Sequence, residues 1–223
     1  MRLIRRNNQR GDTLIEVMFA FAIFALVAVG SLTIMNQGIA TAQRSLEITL
    51  VRAQMDAQAE AIRYIHQAYV AAYQKDGAAP TGTAAEWVKM TDKNTGKGAA
   101  SASPFGETNG PVCPATIPGD RPFILNARMA TVGSSVPLST PAAGSSLPPF
   151  SQVIYNPPTD ADGDGKFESS INQAYGIWIE AVPSAANTNG TGFVDFHIRA
   201  CWSGAGSGTP MTLGTIVRLY EPR

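Results

Sequence analysis

Residues 11–35 read GDTLIEVMFAFAIFALVAVGSLTIM, and everything else in the chain is read outward from this stretch. From Val17 to Met35 there are 19 residues without a charge, enough, in a helix rising about 1.5 Å per residue, to cross about 30 Å of hydrocarbon. Ahead of them lie Arg2, Arg5, Arg6 and Arg10 with no acid among them. That bias keeps the first ten residues cytoplasmic and sends the remainder out. The expectation is a single-pass membrane protein whose bulk faces outward.

A secretory signal also opens with arginines and an apolar run, but it ends at small residues with an A-x-A-like site. No convincing site of that kind follows. Instead Gly11 separates the basic leader from the apolar run, and a lone acid, Glu16, stands five residues beyond it. This junction resembles the class III signal of type IV prepilins and pseudopilins. The resemblance implies that a membrane aspartyl peptidase cuts on the cytoplasmic side between Gly11 and Asp12, methylates the new amino group of Asp12, and leaves the helix attached. It covers about the first quarter of the chain. One departure is plain: the first mature residue in that family is usually apolar, and here it is Asp12. An acid at mid-membrane costs roughly 2.5 to 3.5 kcal/mol on insertion scales and less near the interface. Glu16 therefore asks for a partner, which the resemblance gives as the amino terminus of a neighbouring subunit.

The 223 residues fit one membrane helix and one globular domain large enough to bury a core. The expected division is a cleaved leader over residues 1–11, an assembly helix over 12–37 and a head over 38–223. The chain holds 17 basic and 17 acidic residues. Four of the arginines leave with the leader, so the mature product has 13 against 17 and a formal charge of −4. That argues against a broad nucleic-acid surface, without excluding a local patch.

Beyond Met35 the helical pattern becomes one-faced. Ile48, Val51, Met55, Ala59, Ile62, His66, Tyr69 and Tyr73 fall on one stripe, and Arg44, Glu47, Arg52, Asp56, Glu60 and Arg63 run opposite as a solvated back. No proline interrupts residues 12–75, so a single helix is expected, ending at Asp76-Gly77. Residues 78–150 are rich in Gly, Pro, Ser, Thr and Ala, and only Pro122–Val132 reads there as a strand. Residues 133–149 read as surface loop or extended chain. Strands are expected over Ser151–Tyr155, Tyr175–Val182, Phe193–Trp202 and Thr212–Tyr220, where apolar and polar residues alternate. The fold class is α+β, a long helix packed on an antiparallel sheet. Resemblance to type IV pilins implies the same architecture, which the strand pattern reaches separately.

Asp160, Asp162 and Asp164, followed by Gly165, Lys166 and Glu168, place carboxylates at alternate positions before a glycine turn, like the first half of an EF-hand calcium loop. The carbonyl of Lys166 is a further candidate ligand. The twelfth position holds Ile171 where a bidentate glutamate is expected, so Glu168 would have to serve. The alternative is a polar turn; the mutual repulsion of three close aspartates favours calcium. Cys113 and Cys201 both lie in the exported part, where a disulfide between them is favoured over two buried thiols. His66 and His197 read as packed residues. No G-x-S-x-G, Walker loop or paired cysteine-histidine spacing is present, so no enzymatic activity is expected.

The resemblance implies a structural subunit of a type IV pilus-like filament, a minor pilin rather than the abundant one. Its implied partners are other pilin subunits, the prepilin peptidase, and the assembly platform with its motor ATPase. It would pass from the inner membrane to an extracellular filament. A pseudopilin of a type II secretion system and a membrane-tethered extracellular binding module are the competing readings.

Overall fold

The structure is a computed structural model; it describes residues 12–73, 79–102, 113, 117, 121–133, 138–140, 148, 150–160, 165, 168–184, 192–204 and 209–222, without the side chains of residues 12 and 13. The chain divides into two compact units, residues 1–44 and 45–223. Helix α1, Asp12–Ala72, runs through both.

In the first unit the described part of α1 is exposed at every residue but Ala28, which is half-buried. It is long and apolar enough to cross a membrane. Its few hydroxyls do not stand in the way, since Ser31 donates to the Val27 carbonyl at 2.8 Å and Thr33 to the Val29 carbonyl at 3.0 Å. Each of these two hydroxyls is thus satisfied one turn back within the helix itself.

In the second unit α1 turns its stripe inward. Val51, Met55, Ala59, Ile62 and Ile65 are buried, with Ile48 and Tyr69 packed at the margin. The remaining elements are α2 (Thr83–Thr91), β1 (Leu125–Asn126), β2 (Thr131–Val132), β3 (Leu138–Ser139), β4 (Gln152–Tyr155), β5 (Ile171–Tyr175), β6 (Ile177–Pro183), β7 (Phe193–Trp202) and β8 (Met211–Tyr220). Strands β6, β7 and β8 form an antiparallel meander in that order, with ten consecutive pairs from Phe193↔Tyr220 to Trp202↔Met211. Val194, Phe196, Ile198 and Ala200 leave one face of β7 into the core with the α1 stripe. Burying each of the larger ones contributes about 1.5 to 3 kcal/mol. Trp87 lies among them, its ring 4.8 Å from His66, 5.6 Å from Tyr69 and 5.5 Å from Phe196.

The second sheet has the order β3-β5-β4 and is mixed, because β3 runs parallel to β5. The expected antiparallel sheet is the β6-β7-β8 meander, and this smaller mixed sheet adds to it. The strand expected over Tyr175–Val182 is broken. Gly176 adopts φ +60, and a Cβ there would lie 2.2 Å from the Cys201 carbonyl oxygen. Only glycine lets the chain leave β5 and enter β6 in another sheet at that spot.

Two further expectations give way. Pro122–Val132 is a hairpin, not a strand: Asn126 accepts the N–H groups of Arg128 and Met129 through Oδ1 and turns the chain between β1 and β2. Glu47, placed by its periodicity on the solvated back, is 6% exposed and accepts the indole N–H of Trp202 at 3.3 Å. Helix α2 was not expected, although Ala84, Trp87 and Met90 recur at intervals of three and are all buried. The loop after it folds back so closely that a Cβ on Gly96 would meet the Lys89 carbonyl at 2.7 Å.

Candidate functional site

Three places carry the sequence-derived site residues. The first is the start of α1. Gly11 lies outside the described residues; Asp12 is the first residue of the helix. Glu16 follows in the second turn and is exposed, as are its neighbours Leu14, Ile15, Val17 and Met18. An apolar helix that none of the described residues covers is a surface for lipid or for other helices.

The second is the acidic loop. Thr159 and Glu168 pair as an antiparallel bridge, each N–H donating to the other's carbonyl at 3.0 Å. Gly165, at φ +81, donates its N–H to Asp160 Oδ2 at 3.1 Å. The other oxygen, Asp160 Oδ1, is buried and has no hydrogen-bond partner among the described residues. Glu168 is exposed. Asp162, Asp164 and Lys166 lie outside the described residues. Among the described residues no three His, Cys, Asp or Glu side chains converge as a metal site.

The third is the disulfide. Cys113 and Cys201 are bonded, with Cα atoms 5.5 Å apart across 88 residues of sequence. A chain-entropy treatment gives about 4 to 5 kcal/mol for a loop of this length, as an upper figure. Around Cys201 the backbone is tied as well: its N–H donates to the Gly176 carbonyl at 2.7 Å, and its own carbonyl accepts the Ser151 hydroxyl at 3.1 Å.

Several polar residues that hold the head together were missed in the sequence. Gln58 is buried on the α1 stripe and grips Leu125 twice, donating Nε2–H to its carbonyl and accepting its N–H, both at 2.9 Å. A glutamine three residues after Met55 and four before Ile62 was the available signal. Glu180, also buried, faces Arg199 at 3.6 Å. Asp195 and Arg218 form a two-pronged pair, both contacts 2.7 Å, which holds the Asp195 carboxyl below the usual carboxylate range. Burial, and then the Arg199 charge, push His197 below the ordinary imidazole value. His66 donates through Nε2 to the Tyr220 carbonyl at 2.8 Å. Both histidines are therefore placed by packing and strand pairing.

No curated protein and no solved structure matches the chain. One family model does, over residues 6–32, and it spans the second half of the leader, Gly11, Asp12, Glu16 and most of the apolar run. Within those residues the chain carries the prokaryotic N-terminal methylation motif, the class III signal of type IV pilin and pseudopilin-type proteins.

Proposed function

We propose that the protein is a minor subunit of a type IV pilus-like filament, processed at Gly11, methylated at Asp12, and assembled through the apolar face of α1. The observation that carries this reading is the methylation motif lying on a helix that is exposed almost throughout its apolar length. In the membrane that surface faces lipid; in a filament it packs against the same surface of other pilin subunits. Glu16 would pair with the amino terminus of the next subunit, an opposite charge that offsets its desolvation. The prepilin peptidase, the assembly platform and its motor ATPase are the other partners. Function on this reading is polymerisation and display, with no catalytic step and no broad nucleic-acid surface. Asp12 in place of an apolar first residue favours the minor subunit.

Replacing Glu16 with Gln or Leu tests it. The tail stays apolar in either variant, so a mere tether or binding module would behave as before. Loss of the chain from sheared filaments, with membrane insertion unchanged, is the expected result; unchanged incorporation sinks the reading. Mass spectrometry of assembled protein should find an amino-terminal peptide that begins at a methylated Asp12. Incorporation into a secretion pseudopilus instead of a surface pilus would favour the type II secretion reading.

A second reading concerns calcium at the acidic loop, and it rests on Asp160 Oδ1, buried and without a hydrogen-bond partner among the described residues. Asp160, Asp162, Asp164, the Lys166 carbonyl and Glu168 supply the hard oxygens that calcium takes. A loop without the usual twelfth ligand would bind weakly, with Kd about 10⁻⁴ to 10⁻³ M. Millimolar calcium should raise the melting temperature of the protein and chelator should lower it. Asp162→Asn with Asp164→Asn should remove that response, and a flat melting curve in the parent protein would leave a polar turn.

A further inference from the structure

The hydrogen-bond alternation of the meander fixes which backbone groups of β8 look outward. Glu221 donates its N–H to the Gly192 carbonyl at 2.9 Å. In an antiparallel ladder, residues alternate between bonding inward and outward. Leu219, Val217, Thr215 and Leu213 therefore bond to β7, while Tyr220, Arg218, Ile216, Gly214 and Thr212 aim their N–H and C=O groups at the free edge. The observed bonds agree at both ends of the sheet. Cys201 donates to Gly176 on the β6 side, and the outward carbonyl of Tyr220 is taken by His66. Among the described residues no hydrogen bond reaches the outward groups of Thr212, Gly214, Ile216 or Arg218.

Proteins blunt long edges with proline, lysine, a bulge or a cover. The free edge of β6 is covered, since Phe123 exchanges both hydrogen bonds with Ile179 and Ala99 donates to Ala181. Strand β4 is four residues long and its register shifts at Ile154/Tyr155. Strand β8 is ten residues long with an unbroken register, it contains no proline and no lysine, and among the described residues only His66 reaches its outward groups, at Tyr220. Its single charge, Arg218, is bound to Asp195 and lies over the Phe193 ring at 4.1 Å. Ile216 is 60% exposed and Tyr220 57%.

We propose that β8 is a strand-addition site for the β8 of a second copy of this chain, the two strands running antiparallel about a two-fold axis at Ile216. Self-pairing is what the side chains favour. In that register Ile216 faces its own copy, each Arg218 faces the other copy's Gly214, and each Thr212 faces a Tyr220. The only charge on the strand thus meets the only residue without a side chain, and no like charges oppose each other. One strand pair buries less than the roughly 1,200 Å² of a stable interface. Pairing therefore requires copies concentrated on a membrane or a fibre. It does not depend on the filament reading, because any anchored copy supplies that concentration.

The test is oxidative cross-linking of the full chain in phosphatidylcholine vesicles. Two Ile216→Cys copies would bring Cα atoms about 5.5 Å apart, within disulfide reach. Thr212→Cys, on the same edge and face, would stand eight residues from its own copy and should stay monomeric. A product of twice the chain mass from the first variant alone is the expected result. Adding Gly214→Pro, which removes an outward N–H and leaves the β7 ladder intact, should cut that product about tenfold. Equal cross-linking of both cysteine variants, no cross-linking of Ile216→Cys, or a product of another mass in cell membranes overturns the proposal; the last would assign the edge to a strand of a different protein.

Discussion

Helix α1 has two halves with the same backbone and opposite dealings with their surroundings. Residues 14–44 are exposed but for the half-buried Ala28, and as far as Met35 they are apolar nearly all round; from Ser45 the apolar side chains form a stripe that is buried in the head. A helix that is apolar on every side has no preferred face for its own chain, whereas a stripe can be covered by one sheet. The first half is thus written for lipid and other molecules, the second for β6, β7 and β8. The contrast means that substitutions in the two halves should fail in different assays.

The widest separation is expected between Trp87→Ala and Phe24→Ala. Trp87 is 1% exposed among His66, Tyr69 and Phe196, so its loss should cost the head about 3 to 5 kcal/mol in denaturant unfolding. Phe24 is 69% exposed, and its loss should leave that unfolding within about 0.5 kcal/mol. Equal destabilisation by both would break the distinction between the halves.

Gln58→Ala sharpens the comparison inside the second half. It strips the partner from both polar groups of Leu125, in a buried setting, and should cost about 1 to 3 kcal/mol. Gln58→Glu keeps the acceptor for the Leu125 N–H but sets an oxygen against its carbonyl, so it should not restore stability. Full stability in the Glu variant would mean that the amide does not act through this pair of bonds.

The smallest effect belongs to the Asp195–Arg218 pair, whose arginine is half exposed. Arg218 lowers the folded-state pKa of Asp195 below its unfolded value. The stabilisation is therefore complete above about pH 4, the ordinary carboxylate range, and is lost as pH falls through the lower folded value. A stability gap between the parent protein and Asp195→Asn should be level from pH 7 to about 4.5 and close below about pH 4. A gap that persisted at lower pH would assign the effect to packing.

What the sequence conveys depends on how far apart the determining residues lie. The apolar run, its basic leader, the α1 stripe, β7 and β8 are each written in one continuous pattern, and they were legible. The break at Gly176 was not, because its cause is the Cys201 carbonyl, 25 residues on. Glu47 was misplaced for the same reason, since Trp202 meets it from a strand 155 residues away. The β1–β2 hairpin hid behind Ala130, which takes a left-handed φ of +50 where a glycine would have signalled the turn. At the candidate sites, the methylation motif and the cysteine pair could be read from the residues alone. Asp160 stood out by its neighbours in sequence, and the burial of its Oδ1 emerged only from the folded loop.

The bond between Cys113 and Cys201 has a topological consequence. A protease that cuts once anywhere between these two residues leaves both pieces joined through sulfur, and Cys201 also stays tied to Gly176 and Ser151 through its backbone. A nicked molecule keeps its mass on a non-reducing gel and separates only after reduction. The segment between the cysteines can thus suffer a cut without detaching the head from its anchor.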